Sequence, residues 1–286
     1  MSDQGQQTVM QTVLATPPRA GHFIVTLYGD LVEPRGGTLW MGRVIALCRA
    51  AGLSETLVRT AMSRLVSAGQ LIGERKGRRS YYRLTPSAKV EFAQAARVLF
   101  SPPDVPTDFA MVQTGTTPLP FGFVPLTPEL AIGPYRGDLG TGLVMRASVD
   151  HGRACLPDVA ENLWDLRPVD AAYRVFLARF CPLLDHLEAG NTLHQQDALV
   201  ARLLLVDVYR TAVLQDPFLP PAALGADWPG WHARKVFLHL YQRLSVAVDS
   251  QIQQEFDESE GLILGETPQI IARRASVSAE AALENN

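Results

Sequence analysis

The passage from Ser54 to Thr85 constrains the fold more than any other part of the chain. Ser54 is a helix N-cap, because its hydroxyl can accept from an unpaired N–H of the first turn, and Glu55 follows where the helix dipole favours an acid. The segment ETLVRTAMSRLVSAG places Val58, Ala61, Met62 and Leu65 at the spacing of one buried stripe and stops at Gly69. Its opposite side carries Thr56, Arg59, Thr60 and Ser63, a small, polar and cationic face. Two short strands follow at once, LIGER and SYYRLT, meeting at Lys76, Gly77, Arg78 and Arg79, where Gly77 can take a positive φ. Tyr81 and Tyr82 occupy adjacent strand positions and must face opposite ways.

The flanks extend the pattern. HFIVTLYGDLV sets Phe23, Leu27 and Leu31 on one helical face before Gly36 and Gly37 break it. LWMGRVIALCRAAG predicts a second helix ending at Gly52, and AKVEFAQAARVLF a further one after Pro86 has stopped the second strand. Helix, helix, helix, hairpin, helix is the order of a winged helix-turn-helix. The charge distribution agrees: Arg19 to Arg97 hold 13 Lys or Arg against 5 Asp or Glu, a balance of +8 within a chain whose net charge is −3. One basic module attached to an acidic remainder points to a polyanion partner for that module alone.

At 286 residues the chain has room for two or three domains of about 100 to 200 residues. The expected class is α+β, mainly helical. Residues 1–19 read as a flexible leader, 20–100 as the winged helix, and 101–156 as a proline-rich linker with a small central α+β domain. In that central part short apolar runs, DFAMVQ, FGFVPL, ELAIGP and TGLVMRASV, predict strands. Residues 157–264 read as a helical dimerisation and effector domain, and 265–286 as a flexible tail.

No uncharged apolar run reaches the ~18 residues of a membrane span. The N-terminus lacks the basic start and apolar core of a secretory signal, so a cytoplasmic location is expected. Cys48, Cys155 and Cys181 are odd in number and far apart, which predicts buried, inert thiols rather than disulfides or a zinc site. The six histidines include no pair at the spacing of a metal-binding helix, and GxSxG, P-loop and GxGxxG motifs are absent from the sequence. Asp207, within LLLVDVYR, reads as a buried acid paired with Arg210, and Trp164, Trp228 and Trp231 as packing residues. No catalytic residue, metal or cofactor is expected.

FIVTLYGDLVEPRGGTLWMGRVI, GLSETLVRTAMSRLVSAGQL and GRRSYYRLTPSA resemble the N-terminal module of the PaaX family of bacterial transcriptional repressors. LWDL, AAYRVFLARFCPLL and YRTAVLQDPFLPPAALGADWPGWHAR are similar to that family's C-terminal helical region. The resemblance implies a homodimer that represses aromatic-acid catabolism, binds a palindromic operator and is released by an aryl-CoA thioester, phenylacetyl-CoA in the founding case. It also implies a ferredoxin-like, Cas2-type central domain with a helix between its first two strands. Here only TGTTPLP separates DFAMVQ from FGFVPL. Either that domain is trimmed or another segment fills the place.

These readings assign a DNA-binding set. Arg59 and Ser63 reach base edges, since the planar fork of arginine matches guanine O6 and N7, and Glu55, Thr56, Thr60 and Arg64 flank them. Arg75, Lys76, Arg78 and Arg79 neutralise phosphates, and Tyr81 donates its hydroxyl to one. All of them are expected to converge on one surface. An effector carrying phosphates would call on some of Arg136, Arg146, Arg153, Arg174, Arg179, Arg202 and Arg210. The partners expected are therefore double-stranded operator DNA, a small-molecule inducer and a second copy of the chain. A constitutive winged-helix protein without an effector is the alternative, and a catabolic enzyme using the basic hairpin for nucleotides is a third.

Overall fold

The computed structural model describes residues 2–115, 118–137, 139, 142–255 and 266–283. It is mostly helical with two small sheets. The chain separates into two compact units: Met1–Pro102 with Phe176–Thr211 and Ala233–Asn286, and Pro103–Val175 with Ala212–His232. The first break, at Pro102, falls beside the boundary expected at 100, whereas the later breaks fall inside helices and not at 156 or 264. The later helices α7 (Arg167–Glu188), α8 (Gln195–Val213) and α9 (Pro229–Glu255) each carry residues of both units. Local patterning has no means of announcing such a division.

In the first unit, the expected leader is a helix, α1 (Ser2–Leu14), with Gln6, Met10 and Val13 buried at i, i+4, i+7. Burial of Met10 and Val13, with Gln6 Nε2 donating to Asp197 at 2.7 Å, holds it in place of the flexibility expected from its polar composition. Helix α2 (Ala20–Thr26) runs on as a π-helical turn over Leu27–Val32 and a 3-10 turn over Glu33–Arg35, and stops at Gly36, whose φ is 105°. Strand β1 (Leu39–Trp40) leads into α3 (Met41–Ala50), and Gly52 at φ 86° turns the chain towards α4 (Glu55–Ser67). The Ser54 hydroxyl accepts from the Leu57 N–H at 3.4 Å, so the cap forms where the sequence puts it.

Strands β2 (Leu71–Lys76) and β3 (Arg79–Leu84) pair antiparallel from Leu71 opposite Leu84 to Lys76 opposite Arg79, and β1 adds to the far side of β3. Gly77 takes φ 62° at the first of the two loop positions, and Arg78 is not among the residues of positive φ. A two-residue hairpin with its glycine first is the type II′ arrangement, whose twist matches the strands. Thr85 closes the base of the hairpin: its hydroxyl donates to the Gly69 carbonyl at 2.6 Å and accepts from the Ala88 N–H at 3.3 Å, capping α5 (Pro86–Phe100).

The core of this unit joins Phe23, Leu27 and Val58 of the early helices with Phe176, Phe180, Leu203 and Phe237 of the later ones, all fully buried. The Tyr209 and Phe237 rings stack at 4.2 Å. The expected tail is also a helix, α10 (Pro268–Leu283), with Ile270, Val277 and Ala281 buried. Arg234 fixes it by donating to both Glu280 oxygens at 2.8 and 2.6 Å and to the carbonyls of Leu99 and Ser101.

In the second unit, strands β4 (Phe109–Gln113), β5 (Val124–Pro125), β6 (Leu130–Pro134) and β7 (Val144–Ala147) form an antiparallel sheet in the order β5-β6-β4-β7. Ala110, Val112, Phe123 and Ala131 build its small core. Among the described residues neither connection, from β4 to β5 or from β6 to β7, contains a helix. Helix α6 (Leu156–Trp164) follows, and the Trp164 indole donates to the Gly122 carbonyl at 2.7 Å. Asp216 accepts from the Tyr173 hydroxyl at 2.8 Å and from the Phe218 N–H at 2.7 Å, which shapes the DPFLP turn; burial raises its pKa.

Candidate nucleic-acid interface

Helix α4 and the hairpin stand side by side with a groove of about 500 Å³ between them. Arg59, Met62, Ser63, Val66 and Ser67 line one wall and Gly73, Glu74, Arg75, Ser80 and Tyr82 the other, with Met41 of α3 also lining it. The stripe of α4 explains this. Val58, Ala61 and Met62 are buried, so Thr56, Arg59, Thr60, Ser63 and Arg64 are all exposed. Gly73 has a local role here, since a Cβ would come within 2.9 Å of the Tyr82 ring.

Strand alternation divides the hairpin cations. Arg75 lies on the groove side with Ser80 and Tyr82, and its Nε donates to the Gly77 carbonyl at 3.1 Å. Lys76, Arg79 and Tyr81 belong to the other face. There the Lys76 ammonium lies 5.7 Å from the centre of the Tyr81 ring and the Arg79 guanidinium 4.7 Å from that of Trp40. Arg78 is exposed at the turn between the faces. The structure therefore brings Arg59, Ser63 and Arg75 together and sets Lys76, Arg79 and Tyr81 on the reverse of the ribbon, where the sequence led us to expect one surface. Both tyrosines are partly buried; Tyr82 is the one that faces the groove, and the Tyr28 hydroxyl donates to its carbonyl at 3.3 Å.

Glu55 modulates the groove wall. One of its oxygens accepts from Arg59 Nε at 2.9 Å and lies 2.7 Å from Nη2, and the other is 3.3 Å from Arg49. The Arg59 side chain remains 58% exposed, and a pair in that setting contributes about 0.2–1 kcal/mol. A bidentate arginine–guanine contact discriminates by about 1–3 kcal/mol, enough to draw the guanidinium away.

The remaining candidates fall elsewhere. Arg202 is fully buried, and each of Arg136, Arg179 and Arg210 donates to a backbone carbonyl, of Pro217, Val13 and His22 respectively. Arg153 donates to the Val149 carbonyl, and Arg146 and Arg174 pair with Asp108 and Asp170. Each is thus held in a local contact. Asp207 accepts from the Thr26 hydroxyl at 2.7 Å with Arg210 at 3.8 Å, and burial raises its pKa. Cys48 is buried, which pushes its thiol up to about 12, whereas Cys181 is half-buried and Cys155 exposed, contrary to the expectation of three buried thiols. Among the described residues no group of three or more His, Cys, Asp or Glu is placed to hold a metal ion, and no helix is long and apolar enough to cross a membrane. Trp40 and Met41 were absent from the expected set. The signal was the aromatic residue at the start of LWMGRVI, read only as the start of a helix.

Family models for a PaaX-like protein and for a PaaX-like protein C-terminal domain match residues 19–88 and 164–254. The transcriptional repressor PaaX of Escherichia coli (strain K12) is 32% identical over 283 residues, covering 88% of this chain and 89% of the relative. The chain belongs to the PaaX family. Within the PaaX-like match at 19–88 lie α4, the hairpin and every residue of the groove. Among solved structures, the uncharacterized protein Rv0674 from Mycobacterium tuberculosis aligns over 86% of this chain and 97% of its own, at 18% identity and a TM-score of 0.43.

Proposed function

We propose that this PaaX-family chain is a transcriptional repressor that binds duplex DNA through a winged helix-turn-helix made by α3, α4 and the β2–β3 hairpin. The observation that carries the reading is the groove in which Arg59 and Ser63 of α4 face Arg75 of the hairpin, with Arg78 at the tip. In this reading α4 enters the major groove, where Arg59 and Ser63 contact base edges while Glu55, Thr56, Thr60 and Arg64 border them. Arg75, Lys76, Arg78, Arg79 and Tyr81 hold phosphates, with the two faces of the ribbon addressing different phosphates. The repressor relative supports a regulator rather than an enzyme.

Membership of the family supports the finer features of this reading. The repressor acts as a homodimer on a palindromic operator, controls aromatic-acid catabolism, and is released by an aryl-CoA thioester. The sheet order β5-β6-β4-β7 matches the 4-1-3-2 order of a ferredoxin-like sheet, which supports a trimmed version in which loops replace both helices.

The test is to select duplexes from a random library with the full chain and compare the winning sequence with a scrambled duplex of equal length by fluorescence anisotropy. A ratio of affinities of about a thousandfold or more is expected, together with two-fold symmetry in the selected site and its release by phenylacetyl-CoA. A ratio near one would refute sequence-specific binding.

A further inference from the structure

Between α5 and α10, in the first unit, lies an open cleft of about 490 Å³ that shares no residue with the groove at α4. Its size is that of a site for a small organic molecule. Phe92, Ala93 and Ala96 of α5 and Ala272 of α10 form its walls over a floor of Gly29 and Pro34, and the short side chains leave the room. Three cations border it, Lys89, Arg97 and Arg273, against one acid, Glu33. Two of the three are engaged: Lys89 Nζ lies 2.8 Å from Glu33, and Arg273 donates to Asp30 and to the Gly29 carbonyl. Arg97 is exposed, and among the described residues its guanidinium has no hydrogen bond or ion pair. None of the arginines expected to meet an effector borders this cleft.

The cleft has the hairpin on one side of it and the later helices on the other. The Thr85 hydroxyl caps α5 and donates to the Gly69 carbonyl, so α5 continues from the base of the hairpin. The Ser276 hydroxyl of α10 donates to the Phe100 carbonyl at 2.8 Å, which joins the two helices at the end of α5. An apolar wall beside an uncommitted guanidinium suits a ligand that carries both an apolar group and a negative charge. We infer that this cleft binds a small aryl anion, its ring against Phe92 and its charge at Arg97, and that occupation shifts α5 and with it the hairpin. A ligand changes duplex affinity only by binding one arrangement of α5 better than another, and α5 is the element that cleft and hairpin share. The inference rests on the reading of the chain as a repressor released by an effector.

The test uses the full chain and two probes, anilinonaphthalene sulfonate, a fluorescent aryl anion, and phenylacetyl-CoA, with duplex affinity read by fluorescence anisotropy. Wild type binds the fluorophore, and phenylacetyl-CoA displaces it and releases the selected duplex. Arg97→Gln, which removes the charge, and Ala93→Leu, which fills the cleft, each weaken both probes by about tenfold or more, the size of one lost charge-assisted contact. Both variants bind the duplex as wild type does, and Arg97→Lys keeps most of the affinity for the probes. Undiminished binding of both probes in either variant overturns the inference; release by phenylacetyl-CoA would then act from another site. Fluorophore binding that both variants weaken, but that phenylacetyl-CoA does not displace, keeps the cleft as an aryl-anion site and refutes release by the thioester. Binding of neither probe to wild type overturns both. Thermal unfolding checks each variant, and should Ala93→Leu unfold the chain, the comparison of Arg97→Gln with Arg97→Lys decides.

Discussion

Two sets of arginines in the same structural unit do opposite work. Around the groove and at the tip of the hairpin, Arg59, Arg75 and Arg78 are exposed, and the contacts of the first two are slight: a surface carboxylate and a backbone carbonyl. Behind α2, Arg35 and Arg202 are inaccessible to solvent. Arg202 pairs with Asp30 at 3.0 Å and donates to the Tyr241 hydroxyl at 3.2 Å, and that hydroxyl in turn donates to Asp30 at 2.9 Å. Arg35 pairs with Asp249 at 2.5 Å, and Arg273 and Arg274 of α10 reach Asp30 and Asp249 at 3.2 and 2.8 Å. Burial works against the charge on Arg202, but Asp30, Tyr241 and Asp249 more than reverse it and raise its pKa. Arg35 goes the other way, lowered by burial and then by the charge of Arg202. On the proposed reading, cations that meet an outside anion are held loosely; those that staple helices are held by several internal acceptors each. A single count of Lys and Arg merges the two.

The largest break in this contrast comes from the buried set. Arg202→Ala leaves Asp30 desolvated and short of its main partner, and should cost about 3–5 kcal/mol in urea unfolding. Duplex affinity per folded molecule should stay unchanged. Next is Arg59→Ala, expected to cost about 1–3 kcal/mol on the selected site and to relax preference at one position in each half-site, with the unfolding midpoint unmoved. Arg78→Ala is the mildest. It should weaken selected and random duplexes alike and reduce the salt slope by about 0.9, as expected for one lost phosphate contact. Were Arg59→Ala and Arg78→Ala to act identically on both duplexes, α4 would not be the reading element. Were Arg202→Ala to spare stability, the division of labour between the two sets would collapse.

How much the sequence discloses follows from how local each signal is. The Ser54 cap, the stripe of α4 at Val58, Ala61 and Met62, and the Gly77 turn lie within a few residues of what they organise and were legible, whereas the start of α5 at Pro86, capped by Thr85, was read two residues late. Helix α10 has the same signature, since the Thr267 hydroxyl accepts from the Ile270 N–H and Pro268 occupies the first turn. The polar residues around it masked that signal. Helix α1 was missed because only Gln6, Met10 and Val13 mark its buried side. In the second unit the strand runs were visible, but FGFVPL contributes only Val124–Pro125 to the sheet. The groove wall could be read from α4, yet the division of hairpin cations between two faces depends on which residues pair, and Trp40 enters only through β1. The buried charge network was beyond reach, because its partners lie far apart in sequence.

That separation has a consequence for how the protein is made. Asp30 and Arg202 are 172 residues apart, and Asp30 and Arg273 are 243 apart. A nascent chain therefore exposes Asp30, in the π-helical turn after α2, long before its first guanidinium partner has been translated. Contacts of such range close late and slowly. In the interval the early helices should be prey for chaperones and proteases, so the cell's burden from a mutated Arg202 would appear first as fewer molecules rather than as poorer regulators.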